Sequence, residues 1–159
     1  MKLLQAWNRL TTRIVEVALT VFSAVMVLVC FAQVCTRLAG TPLSWSEELA
    51  RYLAVWLTFL GAAYALRKGA LATVEILYSK LHGVSKKALY VLISAVIFIF
   101  CYVMVRHGLA FAMKFMTQTS PAMQIPKGVV YISAPVSGIL MFFYQIELLI
   151  NELTGKEGA

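Results

Sequence analysis

Four long apolar runs divide this sequence, and they constrain its fold more than any other feature. They cover residues 14–38, 45–67, 87–116 and 127–151. About 20 apolar helical residues cross the hydrocarbon core of a bilayer, so each run is long enough to span it. The strands of a membrane β-barrel alternate apolar and polar residues, whereas these runs are continuous. The sequence therefore predicts an all-α membrane protein, with residues 1–159 forming one domain of four transmembrane helices.

Composition and charge favour the same class. Hydrophobic residues make up 61% of the chain and charged residues 13%, against about 25% charged residues in soluble domains. The net charge is +7, and with four spans nine basic residues fall on the side of both termini and five on the other. Because basic residues accumulate in cytoplasmic loops, the count predicts that both termini are cytoplasmic. Loop charge explains the excess without a nucleic-acid partner.

Two amphipathic segments are expected beside the spans. In residues 1–13, Trp7 and the leucines share one helical face, which predicts a lead-in helix in the membrane interface. In the middle loop, apolar residues recur at helical spacing over 71–81, which predicts a short surface helix on the cytoplasmic side. The basic residues that flank this loop are expected to meet anionic lipid headgroups; they are Arg67, Lys68, Lys86 and Lys87.

The start of the second span is the densest polar cluster. Ser44 and Glu47 fit a capping box, S-x-x-E. Glu47 and Glu48 precede Arg51 by four and three residues, a spacing that predicts salt bridges on the helix surface. One interpretation is a helix start at the membrane surface, and the other is a polar contact to another membrane subunit. An interfacial aromatic belt would accompany the cluster, formed by Trp45, Tyr52 and Trp56.

Two further acids lie at the ends of spans. Glu16 begins the first span, where an acid can couple proton movement, but Arg13 one turn earlier favours a self-neutralised pair. Glu147 near the end of the fourth span is expected to be solvated at the interface.

Prolines mark the outer ends of the third and fourth spans. Pro121 closes the third segment, and Pro126 is expected near the first turn of the fourth helix, where a missing N–H costs nothing. Pro135 and Gly138 inside the fourth span suggest a kink.

Signals for catalysis are missing from the sequence. It has no phosphate-binding P-loop and no zinc-binding spacing of Cys and His. His82 and His107 fall on opposite sides of the predicted membrane, and the three cysteines lie in apolar runs as packing residues. We therefore expect no catalytic, metal or cofactor site in this chain. The spans also carry few polar residues at mid-depth, which favours a helper or scaffold over a complete transporter. The exceptions are serines and threonines such as Thr20, Ser23, Thr58 and Ser94.

Two blocks of residues resemble the small integral membrane subunit of tripartite ATP-independent periplasmic (TRAP) transporters, the Q-type small permease. The resemblance covers nearly the whole chain and fits its length. The first block reads Trp45, Glu47-Glu48, Ala50-Arg51-Tyr52, Trp56, Gly61-Ala62-Ala63 and Arg67-Lys68-Gly69, and the second reads Ser120-Pro121, Met123, Ile125-Pro126, Tyr131, Pro135 and Gly138.

The sequence departs from the family pattern after the second span. Family members often carry a histidine and an aspartate there, whereas Leu71 and Glu75 stand near those positions. The departure concerns the role of that histidine and leaves the resemblance intact.

The resemblance implies a non-catalytic scaffold subunit in the bacterial inner membrane. Its partners would be a large membrane subunit, which carries the solute and sodium sites, and a periplasmic binding protein that delivers an organic acid such as sialic acid or a C4-dicarboxylate. An outer cationic rim would help to dock the binding protein, formed by Arg37, Lys114 and Lys127. The expected contacts to the large subunit, or structural positions, are Trp45, Glu47, Glu48, Arg51, Tyr52, Trp56, Gly61, Pro121, Pro126, Pro135 and Gly138.

Two alternatives remain at this point. A small proton-coupled exporter would work as a homo-oligomer and use Glu16 as its coupling acid. A membrane-bound enzyme or redox subunit would carry a cofactor. The solute and the number of copies in a complex do not follow from the sequence.

Overall fold

The helices follow the four apolar runs. The computed structural model describes residues 2–69 and 84–154. Its elements are α1 (Lys2–Leu38), α2 (Ser46–Arg67), α3 (Val84–Lys114), the short α4 (Gly128–Tyr131) and α5 (Ser133–Leu153). Four stretches are long and apolar enough to cross a membrane: Gln5–Leu38, Ser46–Arg67, Lys87–Lys114 and Gly128–Leu153. The prediction of an all-α chain with four candidate spans is confirmed.

Helix α5 lies at the centre of the bundle. It packs against α3 and α2, and its C-terminal half also contacts α1, while α1 packs along α2. Tyr144 on α5 is completely buried among these helices. Apolar burial alone does not explain this position, because the buried residues of α5 include Ser133, Ser137, Gln145 and Glu147.

Small residues bring α3 close to α4 and α5. A Cβ at Gly138 would lie 3.0 Å from Val105 Cγ2, and a Cβ at Gly108 would lie 3.0 Å from Pro135 Cδ. The approach is closest at Gly128, where a Cβ would lie 2.5 Å from the carbonyl oxygen of Ala112. Glycine is therefore required where α4 begins against the end of α3.

The lead-in segment is continuous with the first span. Helix α1 has 37 residues without a break, which corresponds to about 55 Å and exceeds the thickness of a hydrocarbon core of about 30 Å. In the lead-in, Trp7 is 54% exposed, whereas Asn8 is fully buried. The lead-in thus packs on the bundle through one face, and its location in the membrane interface stays a prediction. The surface helix expected at 71–81 lies outside the described residues.

Pro135 divides the fourth span into α4 and α5. It is the third residue of α5 and has no N–H with which to bond the carbonyl of Tyr131. The backbone at Ile132 is still helical, with φ −62° and ψ −23°. Pro135 therefore interrupts the hydrogen-bond ladder in the first turn of α5, where the interruption is least costly.

Candidate functional sites at the two ends of the bundle

Glu48, in the first turn of α2, holds the loop between α3 and α4. The Ser120 hydroxyl donates to Glu48 Oε2 at 2.6 Å, and the Met123 N–H donates to the same oxygen at 3.0 Å. The Ala122 N–H donates to Glu48 Oε1 at 3.2 Å. Hydrogen bonds to a carboxylate are stronger than neutral ones, so this side chain fixes the loop on α2. We call Glu48 with residues 118–127 the outer clamp, after the predicted orientation of the chain.

The clamped loop is itself a tight hairpin. The Ser120 N–H donates to the Ile125 carbonyl at 2.9 Å, and the Lys127 N–H donates to the Gln118 carbonyl at 2.8 Å. Gln124 has φ 54°, a left-handed conformation that residues with a Cβ seldom adopt. Both prolines singled out in the sequence, Pro121 and Pro126, lie within this hairpin.

The predicted salt bridges of Arg51 are wrong. Within residues 2–69 and 84–154 the ion pair within 4.0 Å is Arg67–Glu147. Glu48 is engaged by the donors of the outer clamp, and Glu47 Oε1 accepts from Gln33 Nε2 at 3.4 Å. Arg51 is exposed. Long-range partners from α1 and the hairpin therefore replace the local pairs that helix spacing suggested.

The predicted capping box is also wrong. Helix α2 begins one residue later than the pattern requires, with Trp45 at the N-cap position and no side-chain cap. The Ser46 hydroxyl instead donates back to the Leu43 carbonyl at 2.8 Å.

Glu147 organises a second cluster at the other end of the bundle. Its Oε1 lies 2.9 Å from Arg67 Nη2, and its Oε2 accepts a hydrogen bond from Asn8 Nδ2. Asn8 Nδ2 also donates to the Phe143 carbonyl at 3.2 Å. These three side chains come from α5, α2 and α1, so one carboxylate joins three helices. We call Asn8, Arg67 and Glu147 the inner cluster, after the same predicted orientation.

Glu147 is buried within the inner cluster, whereas the sequence predicts a solvated acid at this position. Glu147 is 5% exposed and Asn8 is fully buried, so the prediction that Glu147 is solvated is wrong. Arg67 also lies over the ring of Tyr144, at 5.9 Å from its centroid. Sequence reasoning missed Asn8. For the pair of Arg67 and Glu147 the sequence carries one signal, because the predicted topology puts both residues on the same side of the membrane.

The remaining basic residues of the predicted lipid site are placed differently from Arg67. Lys68 is exposed, with its Nζ 5.5 Å from the centroid of the Tyr64 ring, and Lys87 is exposed on α3. Lys86 belongs to α3. Contact with lipid headgroups stays a prediction for all four residues. Arg67 already has a carboxylate partner inside the chain.

Glu16 does not form the expected pair with Arg13. No ion pair joins them in the part of the chain that the structure describes. Instead, the Tyr64 hydroxyl donates to Glu16 Oε1 at 3.4 Å, which places this acid beside α2.

The other predicted contact residues are spread over the bundle. Trp45 is 40% exposed, Tyr52 and Trp56 are half-buried, and the ring of Trp56 packs edge-on against Phe22 at 6.3 Å. A Cβ at Gly61 would meet no atom within 4 Å, whereas Gly138 packs against α3. The three residues of the predicted docking rim lie at helix ends on the side of the outer clamp, with Arg37 and Lys114 exposed and Lys127 half-buried.

Comparison of the sequence with known proteins identifies a family and several relatives of this chain. The family described as Tripartite ATP-independent periplasmic transporters, DctQ component, matches residues 26–155. A TRAP transporter small permease protein of Haemophilus influenzae is 28% identical over 131 residues, which are 82% of this chain and 81% of that protein. The C4-dicarboxylate TRAP transporter small permease protein DctQ of Rhodobacter capsulatus is 30% identical over 110 residues, 68% of this chain. The match covers 48%, about half, of the Rhodobacter protein.

A third relative is a much longer protein. The isethionate TRAP transporter permease protein DctMQ of Oleidesulfovibrio alaskensis is 26% identical over 114 residues, 70% of this chain but 17% of that protein. All three relatives are components of transporters. The comparison does not favour the exporter alternative that gave Glu16 a coupling role.

Proposed function

The chain belongs to the DctQ component family of tripartite ATP-independent periplasmic transporters, and we propose that it is the scaffold subunit of a sodium-coupled importer. In this proposal it binds a large membrane subunit that carries the solute and sodium sites. The subunit takes no part in chemistry. It fixes the immobile part of the transporter in the bacterial inner membrane.

The contacts that the ionisable side chains make within the bundle support a scaffold role. Glu48 bonds the hairpin of the outer clamp, and Glu147 bonds α1 and α2 in the inner cluster. Arg67, the partner of Glu147, lies about 28 Å along α2 from Glu48. The two acids are therefore near opposite ends of the bundle. Transporters usually place their polar groups around a solute at mid-depth, whereas these groups tie the chain's own helices together. This is the observation on which the proposal rests.

The relatives support a large membrane partner and an acidic solute. In the Oleidesulfovibrio relative, the part similar to this chain is a small fraction of a longer permease protein. That arrangement is expected if the small subunit works beside a larger one. The named solutes of the relatives are a C4-dicarboxylate and isethionate, so we propose an organic acid as the solute here.

In the proposed orientation both termini are cytoplasmic, and the outer clamp faces the periplasm. The rim of Arg37, Lys114 and Lys127 then faces the binding protein, which it would attract through complementary charge. The basic residues at the inner ends of α2 and α3 would lie beside anionic lipid.

Co-purification from native membranes tests the proposal. The tagged chain is extracted in mild detergent, and its partners are identified and quantified by mass spectrometry. We expect one large polytopic membrane protein at a fixed ratio. Reconstituted vesicles should take up the organic acid only when both subunits, the binding protein and a sodium gradient are present. A chain that purifies alone and transports alone would refute the proposal.

A further inference from the structure

Helix α2 exposes a different kind of surface from its neighbours. Its exposed side chains are those of Glu47, Arg51, Thr58 and Ala62. Steps of four, seven and four residues put these positions on one stripe of the helix. Every residue of α2 is described, and none of its large apolar side chains is among the exposed ones.

Helices α1 and α3 instead expose large apolar side chains in their middle turns. On α1, Val21 is 50% exposed and Leu28 is 67% exposed. On α3, Leu92 is 63% exposed and Val96 is 60% exposed. Such surfaces suit contact with lipid tails, because apolar side chains need no hydrogen-bond partner in hydrocarbon. The stripe on α2 offers lipid only small and polar groups.

Helix α1 continues the polar surface beside α2. Glu16, Thr20 and Ser23 are exposed and follow one another at helical spacing. The hydrogen bond from Tyr64 to Glu16, at 3.4 Å, puts this row next to α2. At the other end, the contact of Gln33 with Glu47 shows that α1 and α2 run side by side. Together the residues form one face, here called the polar face: Glu16, Thr20, Ser23, Glu47, Arg51 and Thr58. Val27 and Phe31 of α1 are exposed on the same side.

Depth and charge explain why this face needs a partner. Thr58 lies about 18 Å along α2 from Ser46, which is near the middle of a span. Arg51, about 8 Å along the helix, lies within electrostatic reach of Glu48 but forms no hydrogen bond or ion pair within 4.0 Å among the described residues. Polar residues in spans usually face protein rather than lipid. Small side chains also let a second helix approach closely.

The exposed cations of α3 have a simpler explanation. Arg106 and His107 are exposed as well, but they lie in the last turns of α3. Arg106 is about 12 Å from Lys114 along the helix, and a long basic side chain there can extend to the membrane surface. Tyr102, one turn before Arg106, is exposed as well, but α3 contains no acidic residue.

We infer that the polar face of α1 and α2 binds a spanning helix of the large membrane subunit, and that this helix presents an acidic side chain to Arg51. The inference rests on the proposed function and adds which surface is used. The lipid-facing sides are then the apolar surface of α1 around Leu28 and the surface of α3 around Val96.

Photo-crosslinking in membranes tests the inference. A benzophenone amino acid is introduced at position 58 or 23, and at positions 28 and 96 as controls in the two apolar surfaces. Illumination should join positions 58 and 23 to the large subunit with at least tenfold higher yield than positions 28 and 96. Adducts formed only from the control positions would overturn the inference. Failure of the unmodified chain to co-purify with any large subunit would refute the proposed function itself.

A charge reversal tests the predicted partner chemistry. Arg51→Glu should lower the amount of co-purified large subunit at least fivefold, while its membrane level stays unchanged because insertion does not need this contact. Arg106→Glu is the matched control, as an exposed cation in the outer half of α3, and should keep the complex. Equal losses in both variants, or in neither, would contradict an acidic partner for Arg51.

Discussion

Arg67 and Glu147 lie 80 positions apart in the sequence, yet their side chains form an ion pair of 2.9 Å between the last turn of α2 and the C-terminal half of α5. Asn8 brings α1 to the same carboxylate. Breaking a buried pair leaves an uncompensated charge, which is more destabilising than removing both partners. This asymmetry makes the inner cluster testable.

Loss of one partner of the inner cluster should destabilise the bundle. Arg67→Ala should lower stability by about 2 kcal/mol, somewhat less than a fully buried pair would lose because Arg67 is partly exposed. The midpoint of thermal unfolding in detergent, followed by size-exclusion fluorescence, measures the change. Lys68→Ala is the control, since Lys68 is exposed next to Arg67 and forms no ion pair with any residue that the structure describes. The double variant Arg67→Met with Glu147→Leu should be more stable than Arg67→Ala, and the opposite order would contradict the argument.

The outer clamp should loosen when Glu48 loses its charge. Glu48→Gln keeps the size of the side chain but replaces a charged acceptor of three donors, so the hairpin at 118–127 should exchange its amide hydrogens at least tenfold faster. Hydrogen exchange with mass spectrometry reports the amides of Ala122 and Met123 directly. Glu47→Gln, one residue away and outside the clamp, should leave this exchange unchanged. If both variants behaved alike, Glu48 would have no special role in holding the loop.

Gly128 should tolerate no side chain. A Cβ there would lie 2.5 Å from a backbone oxygen of α3, so Gly128→Ala must push α4 away and should cost about 1–3 kcal/mol as an overpacked contact. Gly61→Ala is the control, because nothing lies within 4 Å of its Cβ and alanine favours helix by about 1 kcal/mol. Thermal unfolding in detergent should therefore rank Gly61→Ala at or above the parent and Gly128→Ala below it. A neutral Gly128→Ala would show that α4 is free to move.

The cationic rim should govern encounter with the binding protein. Neutralising Arg37 and Lys114 together should slow association and weaken its dependence on salt, because exposed charges act mainly by steering. Association rates measured on the complex in nanodiscs at low and high salt check this. Neutralising Lys68 and Lys87, which the proposed topology puts on the other side, should change neither quantity. An unchanged salt dependence in the Arg37 and Lys114 variant would remove the rim from the docking site.

Several long-range contacts lay beyond sequence reasoning for a common physical reason. Helix spacing correctly puts Glu47, Glu48 and Arg51 near one another, and an isolated helix would pair them. In the folded chain the two acids instead accept hydrogen bonds from other segments, Glu47 from Gln33 and Glu48 from the hairpin donors. The buried contact between Gln145 Nε2 and Ser94 Oγ, at 2.8 Å, has no sequence signal either, since neither residue stands out within its span. Local spacing predicts which side chains can contact each other on one helix. Which polar side chains must have a partner depends on which of them the fold buries.

The sequence by itself determined the class of protein, the number of spans and the family. These follow from run length, composition and two motif blocks, and they need no knowledge of how helices pack, because a bilayer imposes one requirement on every spanning segment. Only the tertiary structure decided that α5 is central, that Glu147 joins three helices and that Glu48 holds a hairpin. Those outcomes depend on which polar groups are removed from water together, and their partners lie up to 139 residues apart.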